Sequence, residues 1–479
     1  MSYEEIFPRR SRNNYLRETR ALTYWTWVSS MKKVVDRPKV DVENLWPTVI
    51  TPVKGKGTRL YPLTLDRSKS LVPVVNVSIL ERILGNMAIF GCENFWIVGE
   101  YELYNYFRNG DTLYGKFGLN SHVSFNYTTE DDKGNADGVR MALEKRNTTN
   151  GEYKINGDVI IVSGDCVIDL DWKKLMEIHR KHDADITIVL KKVEDVSDYG
   201  VARLGPEKIE DFIEKPESNN APSNLANTFI NVTSSNTLRE VFKEMKAKNL
   251  ECTDFGKHII PYMVKNRLAK PYINEGFWND VGTPRALLET NLAMLQGKVG
   301  MIDLEPRIHP TSEHSVGSNV ELENVIIGAN VSIGSNCKLQ NVCVDSNTTI
   351  EDDVEIRDSV VHFGARIGRG CRITKSIIDN FGYTGEKTQV GDYDPDETTV
   401  VGAYTRLGDG WQMWPGELAV KYSPETREKI VDARRGNTNL YKIVGDDEEN
   451  LYFVDRTILK KTYGDMPPMI FAKYGSKPG

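Results

Sequence analysis

A repeat of 17 residues runs through the second half of the chain and limits its possible folds more than any other feature. Aliphatic residues recur at this interval in three columns, which are Ile327, Val344, Val361 and Ile378; Ile333, Ile350 and Ile367; and Leu339, Ile356 and Ile373. Each period divides into pieces of six, six and five residues, and each piece opens with an aliphatic side chain. Three short faces per turn are typical of a triangular parallel β-solenoid. The repeat predicts such a solenoid over residues 298–420.

One stretch of the solenoid departs from the period. Residues Asn380–Thr398 break the pattern, and the sequence therefore predicts an extruded loop there. The pattern resumes at Val401-Gly402 and continues to about Val420.

The preceding part of the chain, residues 46–297, alternates apolar runs with amphipathic ones. This alternation predicts an α/β domain with a Rossmann-like, mostly parallel sheet covered by helices on both faces. The predicted strands are Thr48–Thr51, Asn94–Val98, Asp158–Val162 and Asp185–Leu190, and the predicted helices include Ile79–Phe90 and Leu170–His182. Ligands of such sheets gather at the carboxyl ends of the strands. A glycine-rich loop and Asp165 follow two of these ends.

Composition excludes several classes of function. A chain of 479 residues with 39% hydrophobic residues can bury more than one core. Its net charge of −7 argues against a general nucleic-acid surface. The six cysteines form no CxxC pair, which favours a reducing compartment and gives no zinc signal. Apolar runs stay well below the roughly 20 residues that span a bilayer. We expect a soluble, cytoplasmic protein without a nucleic-acid or membrane partner.

Two further segments carry no recognisable chemistry. Residues 1–45 are rich in arginine and aromatic residues, and we interpret them as an N-terminal extension that packs on the main domain or on a partner subunit. Residues 421–479 form a C-terminal extension that either caps the solenoid or mediates assembly. Because flat solenoid faces commonly support oligomers, we expect a homo-oligomer, either a dimer or a tetramer.

The loop after the first predicted strand combines glycines with cations. Gly55 and Gly57 alternate with Lys54, Lys56 and Arg59. Glycines let backbone N–H groups approach an anion closely, and neighbouring cations offset its charge. The spacing fits neither a P-loop nor a dinucleotide-binding fingerprint. On spacing alone the loop binds a nucleotide phosphate or is an ordinary strand-to-helix turn, with Lys69 as a second cation that can fold back towards it.

The loop and several later motifs together resemble one family. GKGTRLYPLT followed by SKSLVPVVNVSIL is similar to the sugar-1-phosphate nucleotidylyltransferases, and five further matches follow in the family's order. They are Lys133-Gly134-Asn135-Ala136-Asp137-Gly138, Gly164-Asp165, Tyr199-Gly200, Glu214-Lys215-Pro216 and Trp278-Asn279-Asp280-Val281-Gly282-Thr283. HRKHDADIT and DFGKHIIP resemble the ADP-glucose pyrophosphorylase branch, whereas LVPVVN resembles the mannose-1-phosphate guanylyltransferase and thymidylyltransferase branches. The resemblance covers about residues 47–420 and implies that the solenoid is a left-handed parallel β-helix of hexapeptide repeats.

The resemblance implies transfer of a nucleotidyl group from a nucleoside triphosphate (NTP) to a sugar-1-phosphate, which yields an NDP-sugar and pyrophosphate. This reaction brings two highly charged anions together, so charge neutralisation and alignment dominate its catalysis. By resemblance, Asp165 and Asp280 hold Mg²⁺. Arg59 clamps the triphosphate and Lys69 assists it. Lys215 holds the sugar phosphate.

The same resemblance implies the contacts with the nucleotide and the sugar. The expected nucleotide-binding residues are Val53, Lys54, Gly55, Gly57, Thr58 and Gly134. The expected sugar-binding residues are Gly200, Glu214, Lys215 and Asn231. Phe229 stands where relatives usually have glycine, and a ring there would narrow the sugar pocket. Because the branch similarities conflict, neither the base nor the sugar follows from the sequence.

Simpler roles stay open for some of these residues. Asp165 could act as a turn or helix cap at the end of its strand, and Asp280 could cap the helix over 284–295. Glu214 and Lys215 could form a solvated ion pair that contributes little to stability.

Three histidines are candidates for other roles. His179 and His182 lack a third ligand and are interpreted as a surface pair, and His362 in the solenoid is interpreted as structural. The leading function is nucleotidyl transfer. One alternative is a non-catalytic regulatory or binding subunit that pairs with an active paralogue. A weaker one is an acyltransferase that would depend on His362.

Overall fold

The chain forms two compact units. The computed structural model describes residues 46–53, 55, 57–113, 121–127, 134–146, 151–152, 154–217, 220–300, 307–312, 315–392, 397–421, 440–444 and 451–455. The first unit comprises Met1–Lys54, Leu80–Gly164 and Ile168–Trp278. The second comprises Gly55–Ile79, Asp165–Val167 and Asn279–Gly479.

A mixed sheet forms the centre of the first unit. In chain order, the strands up to residue 280 are β1 (Thr48–Pro52), β2 (Pro73–Val74), β3 (Val77–Ser78), β4 (Asn94–Gly99), β5 (His122–Tyr127), β6 (Asp158–Val162), β7 (Cys166–Ile168), β8 (Ile186–Lys192), β9 (Gly200–Leu204), β10 (Ile209–Glu214), β11 (Leu225–Ser234), β12 (Ala269–Ile273) and β13 (Trp278–Asp280). The sheet order is β10-β9-β11-β6-β1-β4-β5, with β8 joining β11 to β12. Strands β6, β1, β4 and β5 run parallel, whereas β11 runs antiparallel to β6 and β8. The predicted α/β fold is confirmed, with one reversed strand in the middle of the sheet.

Polar side chains cap the N-termini of several described helices. The described helices are α1 (Ile79–Ile89), α2 (Tyr101–Phe107), α3 (Asn135–Glu144), α4 (Trp172–Lys181), α5 (Ser235–Ala247), α6 (Ile260–Asn266) and α7 (Pro284–Leu295). The Asp171 carboxylate accepts from Lys174 N at 2.9 Å and so caps α4, and the Thr283 hydroxyl accepts from Ala286 N at 3.1 Å and so caps α7. Such caps satisfy N–H groups that the helix leaves unpaired.

Helices α3, α5 and α6 bury their apolar sides against the sheet. Val139, Val241 and Met263 from these helices join Ile161 and Ile188 from the strands in one fully buried cluster. Each such side chain contributes about 1.5–3 kcal/mol when it leaves water. This core is the reason that the apolar periodicity predicted the helices and strands well.

The interpretation of His179 and His182 as a surface pair is wrong for His179. His182 is exposed, but His179 is 5% exposed and its Nδ1 lies 2.8 Å from the Thr187 hydroxyl on β8. Burial lowers the pKa of His179 below its usual value. It is a neutral core residue.

The second unit contains the solenoid, whose strands are β14 (Glu321–Ile327), β15 (Ser332–Ile333), β16 (Lys338–Val344), β17 (Thr349–Ile350), β18 (Glu355–Val361), β19 (Arg366–Ile367), β20 (Arg372–Thr374), β21 (Ser376–Ile378), β22 (Tyr383–Thr384), β23 (Gln389–Val390), β24 (Thr399–Val401), β25 (Arg406–Leu407), β26 (Gln412–Met413) and β27 (Leu418–Lys421). The 17-residue columns are the register of these parallel strands. Val344 pairs with Ile327 on one side and Val361 on the other, and Ile350 pairs with Ile333 and Ile367. The predicted solenoid is confirmed.

The corners of the solenoid require residues with positive φ. Asn319, Asn336 and Asp353 occupy one corner at φ of 57°, 59° and 61°. Asn336 receives a side-chain hydrogen bond from Asn319 at 3.1 Å and donates one to Asp353 at 3.0 Å. Asparagine and aspartate tolerate the left-handed conformation better than other residues with a side chain. The corners therefore explain why Asn and Asp recur between the aliphatic columns.

The predicted extruded loop over Asn380–Thr398 is wrong in extent. Strands β22 and β23 lie inside it and keep the period, since Ile367 pairs with Thr384 and Ile373 with Val390. The spacing first changes at β24, where Ile378 pairs with Val401 and Ser376 with Thr399. The interval there is 23 residues rather than 17, so six extra residues lie between Val390 and Thr399. The aliphatic pattern is already interrupted before them, at Thr384, which is fully buried in an inward place.

An antiparallel hairpin closes the last turn of the solenoid. Strands β28 (Leu440–Val444) and β29 (Leu451–Asp455) pair with each other, and β29 pairs with β27. An uncovered edge strand can pair with other chains, and a covering hairpin prevents this. Part of the C-terminal extension thus caps the solenoid. Among the described residues, none of the helices has the length and apolar character needed to cross a bilayer.

Candidate active site

A cluster of opposite charges lies in the second unit, away from the solenoid repeats in sequence. Lys69 Nζ donates to Asp165 Oδ2 at 2.7 Å and to Asp280 Oδ1 at 3.1 Å. Arg59 Nη2 lies 3.6 Å from the other carboxylate oxygen of Asp280. Four of the residues singled out from the sequence are therefore brought together, although up to 221 positions separate them along the chain.

Short backbone contacts fix the two carboxylates beside each other. Asp165 immediately precedes β7, and Asp280 ends β13, which pairs with β7. Val281 N donates to the Asp165 carbonyl at 3.1 Å, which joins the two segments. At Gly282 a Cβ would lie 3.2 Å from Arg59 Nη2 and 3.4 Å from the Asp280 carboxylate, so glycine leaves room for the guanidinium.

Burial and opposite charges act against each other at the cluster. Burial acts to lower the pKa of Lys69, but the two carboxylates outweigh it and raise the pKa above its usual value. Burial and the charge of Asp165 raise the pKa of Asp280 despite Lys69 and Arg59. Burial and the neighbouring carboxylate therefore outweigh the effect of the two cations on Asp280. A metal ion bound there would stabilise the ionised form of both.

The glycine loop leads into this cluster. Gly55 and Gly57 have φ of 147° and 60°, values that favour glycine. Gly57 precedes the 3₁₀ turn Thr58–Leu60 that carries Arg59, and its carbonyl accepts from the Thr64 hydroxyl at 2.9 Å. Lys54 lies outside the described residues.

The simpler roles proposed for the two aspartates do not fit their positions. Helix α7 is capped by Thr283 and helix α4 by Asp171, so neither Asp280 nor Asp165 caps a helix. Both carboxylates instead accept hydrogen bonds from the same ammonium. The negative charges of both aspartates therefore interact with Lys69 and not with a helix N-terminus.

In the first unit, two glycines surround the carboxylate of Glu214. A Cβ at Gly200 would lie 2.6 Å from Glu214 Oε2, and a Cβ at Gly256 would lie 2.4 Å from the same atom. Burial and the charge of Asp254 raise the pKa of Glu214, although Lys215 and Lys257 oppose the shift. Sequence reasoning singled out Gly200 and missed Gly256, although Gly256 belongs to the motif DFGKHIIP.

The other residues expected to contact the sugar differ in accessibility. The Lys215 side chain is exposed, and its backbone has φ of 47°. Asn231 is fully buried in the middle of β11, and within the described residues its amide has no hydrogen-bond partner. Phe229 has φ of 59° and packs edge-on against Phe255, with ring centroids 6.1 Å apart. Phe229 thus adopts a left-handed conformation that glycine would accept without strain.

Two residues expected to contact the nucleotide are also held by the first unit. Val53 N donates to the Val98 carbonyl at 2.7 Å, which continues the pairing of β1 with β4. Gly134 precedes α3, where a Cβ would lie 2.2 Å from the Thr253 carbonyl oxygen. Only glycine permits this close approach of the backbone.

A mixed α/β unit, a parallel solenoid and a lysine between two aspartates are features that fit an enzyme acting on phosphate-bearing substrates. A family model described as nucleotidyl transferase matches residues 53–297, and one described as GMPPB C-terminal domain matches residues 305–412. The chain is 31% identical over 269 residues to glucose-1-phosphate adenylyltransferases from Bacillus mycoides, Bacillus cereus and Bacillus anthracis, covering 52% of this chain and 67% of theirs. It belongs to the nucleotidyl transferase family.

Proposed function

We propose that the protein is a sugar-1-phosphate nucleotidylyltransferase that transfers a nucleotidyl group from an NTP to a sugar-1-phosphate and releases pyrophosphate. The observation that carries the proposal is the Lys69 ammonium held between Asp165 and Asp280, with Arg59 beside Asp280. Attack of a phosphate oxygen on the α-phosphorus needs little covalent help from the protein and much compensation of negative charge. In this cluster Lys69 and Arg59 supply positive charge next to two carboxylates that can bind a metal ion.

The donor set fits a divalent cation, and we propose Mg²⁺. Mg²⁺ is usually bound by one or two carboxylates together with substrate phosphates and water. Asp165 and Asp280 would hold it, because their carboxylates lie close enough together to share one ammonium. When bound, the ion would neutralise phosphate oxygens.

The cations of the chain bind and orient the reacting groups. Arg59, whose side chain is 52% exposed, clamps the triphosphate and stabilises charge on the leaving pyrophosphate. With a metal ion held by the carboxylates, the Lys69 ammonium would be available to phosphate oxygens. Gly55, Gly57 and Thr58 offer backbone N–H groups to the phosphates.

We assign the sugar and the base to residues of the first unit. Glu214, cradled by Gly200, accepts hydrogen bonds from sugar hydroxyls, and the exposed Lys215 holds the sugar phosphate. Val53, Lys54 and Gly134 border the base. We also propose that Asn231 binds the sugar, and replacement of Asn231 by leucine tests this role. A raised KM for the sugar phosphate supports contact, whereas an unchanged KM assigns the buried amide to the core.

The domain organisation that we propose follows the repeat and the motifs. Residues 46–297 carry nucleotidyl transfer and residues 298–420 the left-handed β-helix, with extensions at 1–45 and 421–479. The ranges matched by the two family models lie within the two central segments. All six cysteines are free thiols, which supports a reducing, cytoplasmic location, and the flat solenoid faces support a homo-oligomer.

A pyrophosphate-release assay tests the proposed function. The full chain is assayed with each of the four NTPs against glucose-1-phosphate and mannose-1-phosphate in the presence of Mg²⁺. We expect one pair to turn over, and Asp280→Asn to lower kcat by about 100-fold or more because it removes charge from the cluster. Glu289→Gln, an exposed residue of α7, is the matched control and keeps wild-type activity. Folded protein that binds nucleotide in thermal-shift assays but turns over no pair would instead be the non-catalytic subunit.

A further inference from the structure

A column of residues that includes three buried polar side chains lies along one face of the solenoid. Gly328, Asp345, His362, Asp379 and Gly402 each follow an inward aliphatic residue, and the parallel register stacks them on successive turns. Asp345, His362 and Asp379 are only 2%, 1% and 0% exposed. Polar side chains next to the inward column would reach solvent unless something covered them. Another segment of the second unit therefore covers this face.

The covering segment is the stretch that also carries Lys69. A Cβ at Gly402 would lie 3.3 Å from Pro62 Cβ. The Arg67 guanidinium donates to Asp379 Oδ1, and the Asn76 amide donates to the Val344 carbonyl at 3.1 Å. These contacts hold residues 62–76 against three turns of the solenoid, which carry Val344, Asp379 and Gly402.

The Arg67–Asp379 contact is the centre of this attachment. The Arg67 side chain is 10% exposed and the Asp379 side chain is fully buried. Arg67 also donates from Nε to the Leu63 carbonyl at 2.9 Å, so its guanidinium has a fixed orientation. A buried charge that loses its partner is strongly unfavourable, so the pair resists separation.

Only Ser68 separates Arg67 from Lys69. Ser68 is extended, and a 3₁₀ turn starts at Lys69, with Leu71 N donating to the Ser68 carbonyl at 2.9 Å and Val72 N to the Lys69 carbonyl at 3.1 Å. This connection is short and hydrogen-bonded, so a shift of Arg67 would also shift the backbone of Lys69. We propose that Asp379, acting through Arg67, positions Lys69 at the catalytic carboxylates.

The inference rests on the proposed function, since it names a positioning residue for the same site. It gives the solenoid a part in the reaction that the resemblance does not assign. Neither Arg67 nor Asp379 touches substrate in this proposal. Their contribution is to the geometry of Lys69, where a shift of about 1 Å can reduce a rate by about 100-fold.

The first test uses hydrogen–deuterium exchange of the full chain and needs no substrate. Asp379→Asn keeps the side-chain shape and removes the charge. We expect faster exchange in peptides spanning residues 62–76. The matched control is Glu417→Gln, a buried solenoid carboxylate that accepts from Trp414 N at 2.9 Å, and it leaves the exchange of these peptides unchanged. Unchanged exchange in Asp379→Asn would overturn the proposal.

The second test asks whether the effect passes through Lys69. Asp379→Asn should lower kcat by about 10- to 100-fold with a smaller change in KM for the NTP. In a Lys69→Met background the same substitution should cost no further activity, because residues that act as a unit are not additive. Additive losses would overturn the positioning role. A wild-type chain without turnover would contradict the proposed function and leave the exchange test valid.

A second variant keeps the proposal testable should Asp379→Asn fail to fold. Arg67→Lys retains the positive charge but lacks the planar guanidinium, which donates from Nε to the Leu63 carbonyl and from Nη2 to Asp379. Faster exchange over residues 62–76 in this variant supports the proposal, and wild-type exchange overturns it.

Discussion

Lys69 occupies the place between two carboxylates where the proposed metal ion would bind. Its ammonium contacts Asp165 at 2.7 Å and Asp280 at 3.1 Å, and its side chain is only 14% exposed. Without metal, this internal cation prevents the carboxylates from repelling each other. The lysine and the metal ion therefore compete for the same two carboxylates.

This competition gives a prediction for Lys69→Met. The variant removes the internal cation, so the two carboxylates should bind Mn²⁺, used as a probe, more tightly than the wild type by about tenfold. Mn²⁺ binding is measured by electron paramagnetic resonance in the absence of nucleotide. Lys338→Met, an exposed solenoid lysine, is the control and keeps the wild-type affinity. Weaker Mn²⁺ binding by Lys69→Met would show that the lysine supports the metal site.

Phe229 has a strained backbone conformation. The sequence indicates that the position is unusual but does not give the energy of the strain. A residue with a Cβ at φ of 59° is strained by roughly 1–2 kcal/mol, and the ring recovers part of this by packing on Phe255. The backbone is held in this conformation because Phe229 N donates to Asn227 Oδ1 at 3.0 Å and Phe229 O accepts from Ser163 N at 3.2 Å.

We predict that Phe229→Gly is more stable than Phe229→Ala by about 1 kcal/mol. Both variants lose the ring, but only glycine relieves the positive φ. Phe212 on β10 is the control, since it is buried in an ordinary strand where alanine should be more stable than glycine. Urea unfolding of the four variants measures both differences. The same order at both positions, with alanine above glycine, would contradict the strain at Phe229.

At the scale of elements, the sequence predicts the solenoid almost completely because one inward side chain per strand determines its register. It fails at the interruption, where Thr384 takes an inward place and the aliphatic pattern loses a turn. The six extra residues are inserted between Val390 and Thr399, and the corresponding segment of the preceding turn is a corner. In the preceding turn that corner is occupied by Lys375 at φ of 48°, and Thr398 aligns with it in the register set by Ser376 and Thr399.

Deleting residues 392–397 should therefore restore the period without loss of the fold. Thr398 would then have to adopt a positive φ, which a β-branched residue resists. We predict that the deletion alone lowers the melting temperature and that adding Thr398→Asn recovers most of the loss, worth about 1 kcal/mol. Differential scanning calorimetry of the two deletion variants measures this. No gain from asparagine would show that the shortened chain does not form the regular corner.

At the scale of the molecule, the candidate site could be predicted only in part. The motifs identified Arg59, Lys69, Asp165 and Asp280, because the chemistry of each motif is local. They gave no sign that residues 55–79 belong to the same compact unit as the solenoid. Asp379 lies 312 positions from Arg67, and no local pattern connects two such residues. Contacts of this kind come from tertiary packing, which a single sequence does not reveal.

The buried column gives a whole-molecule prediction about pH. His362 is 1% exposed, and within the described residues neither ring nitrogen has a hydrogen-bond partner. Burial and the nearby Arg67 charge lower the pKa of His362 to about 3, although Asp345 opposes the shift. In the unfolded chain the pKa is about 6.5. Between these values the unfolded state binds one proton more, so the histidine reduces stability as pH falls below about 6.5, by about 1.4 kcal/mol per pH unit.

Replacing this residue should make the protein less sensitive to acid. We predict that His362→Gln loses stability more slowly than the wild type between pH 7 and pH 5, as about one proton fewer is taken up on unfolding. The urea midpoint of the solenoid transition, measured across this range, gives the slope of each variant. His182→Gln, at an exposed histidine after α4, is the control and keeps the wild-type slope. Parallel slopes for wild type and His362→Gln would mean that the buried imidazole is not the group that makes the solenoid acid-labile.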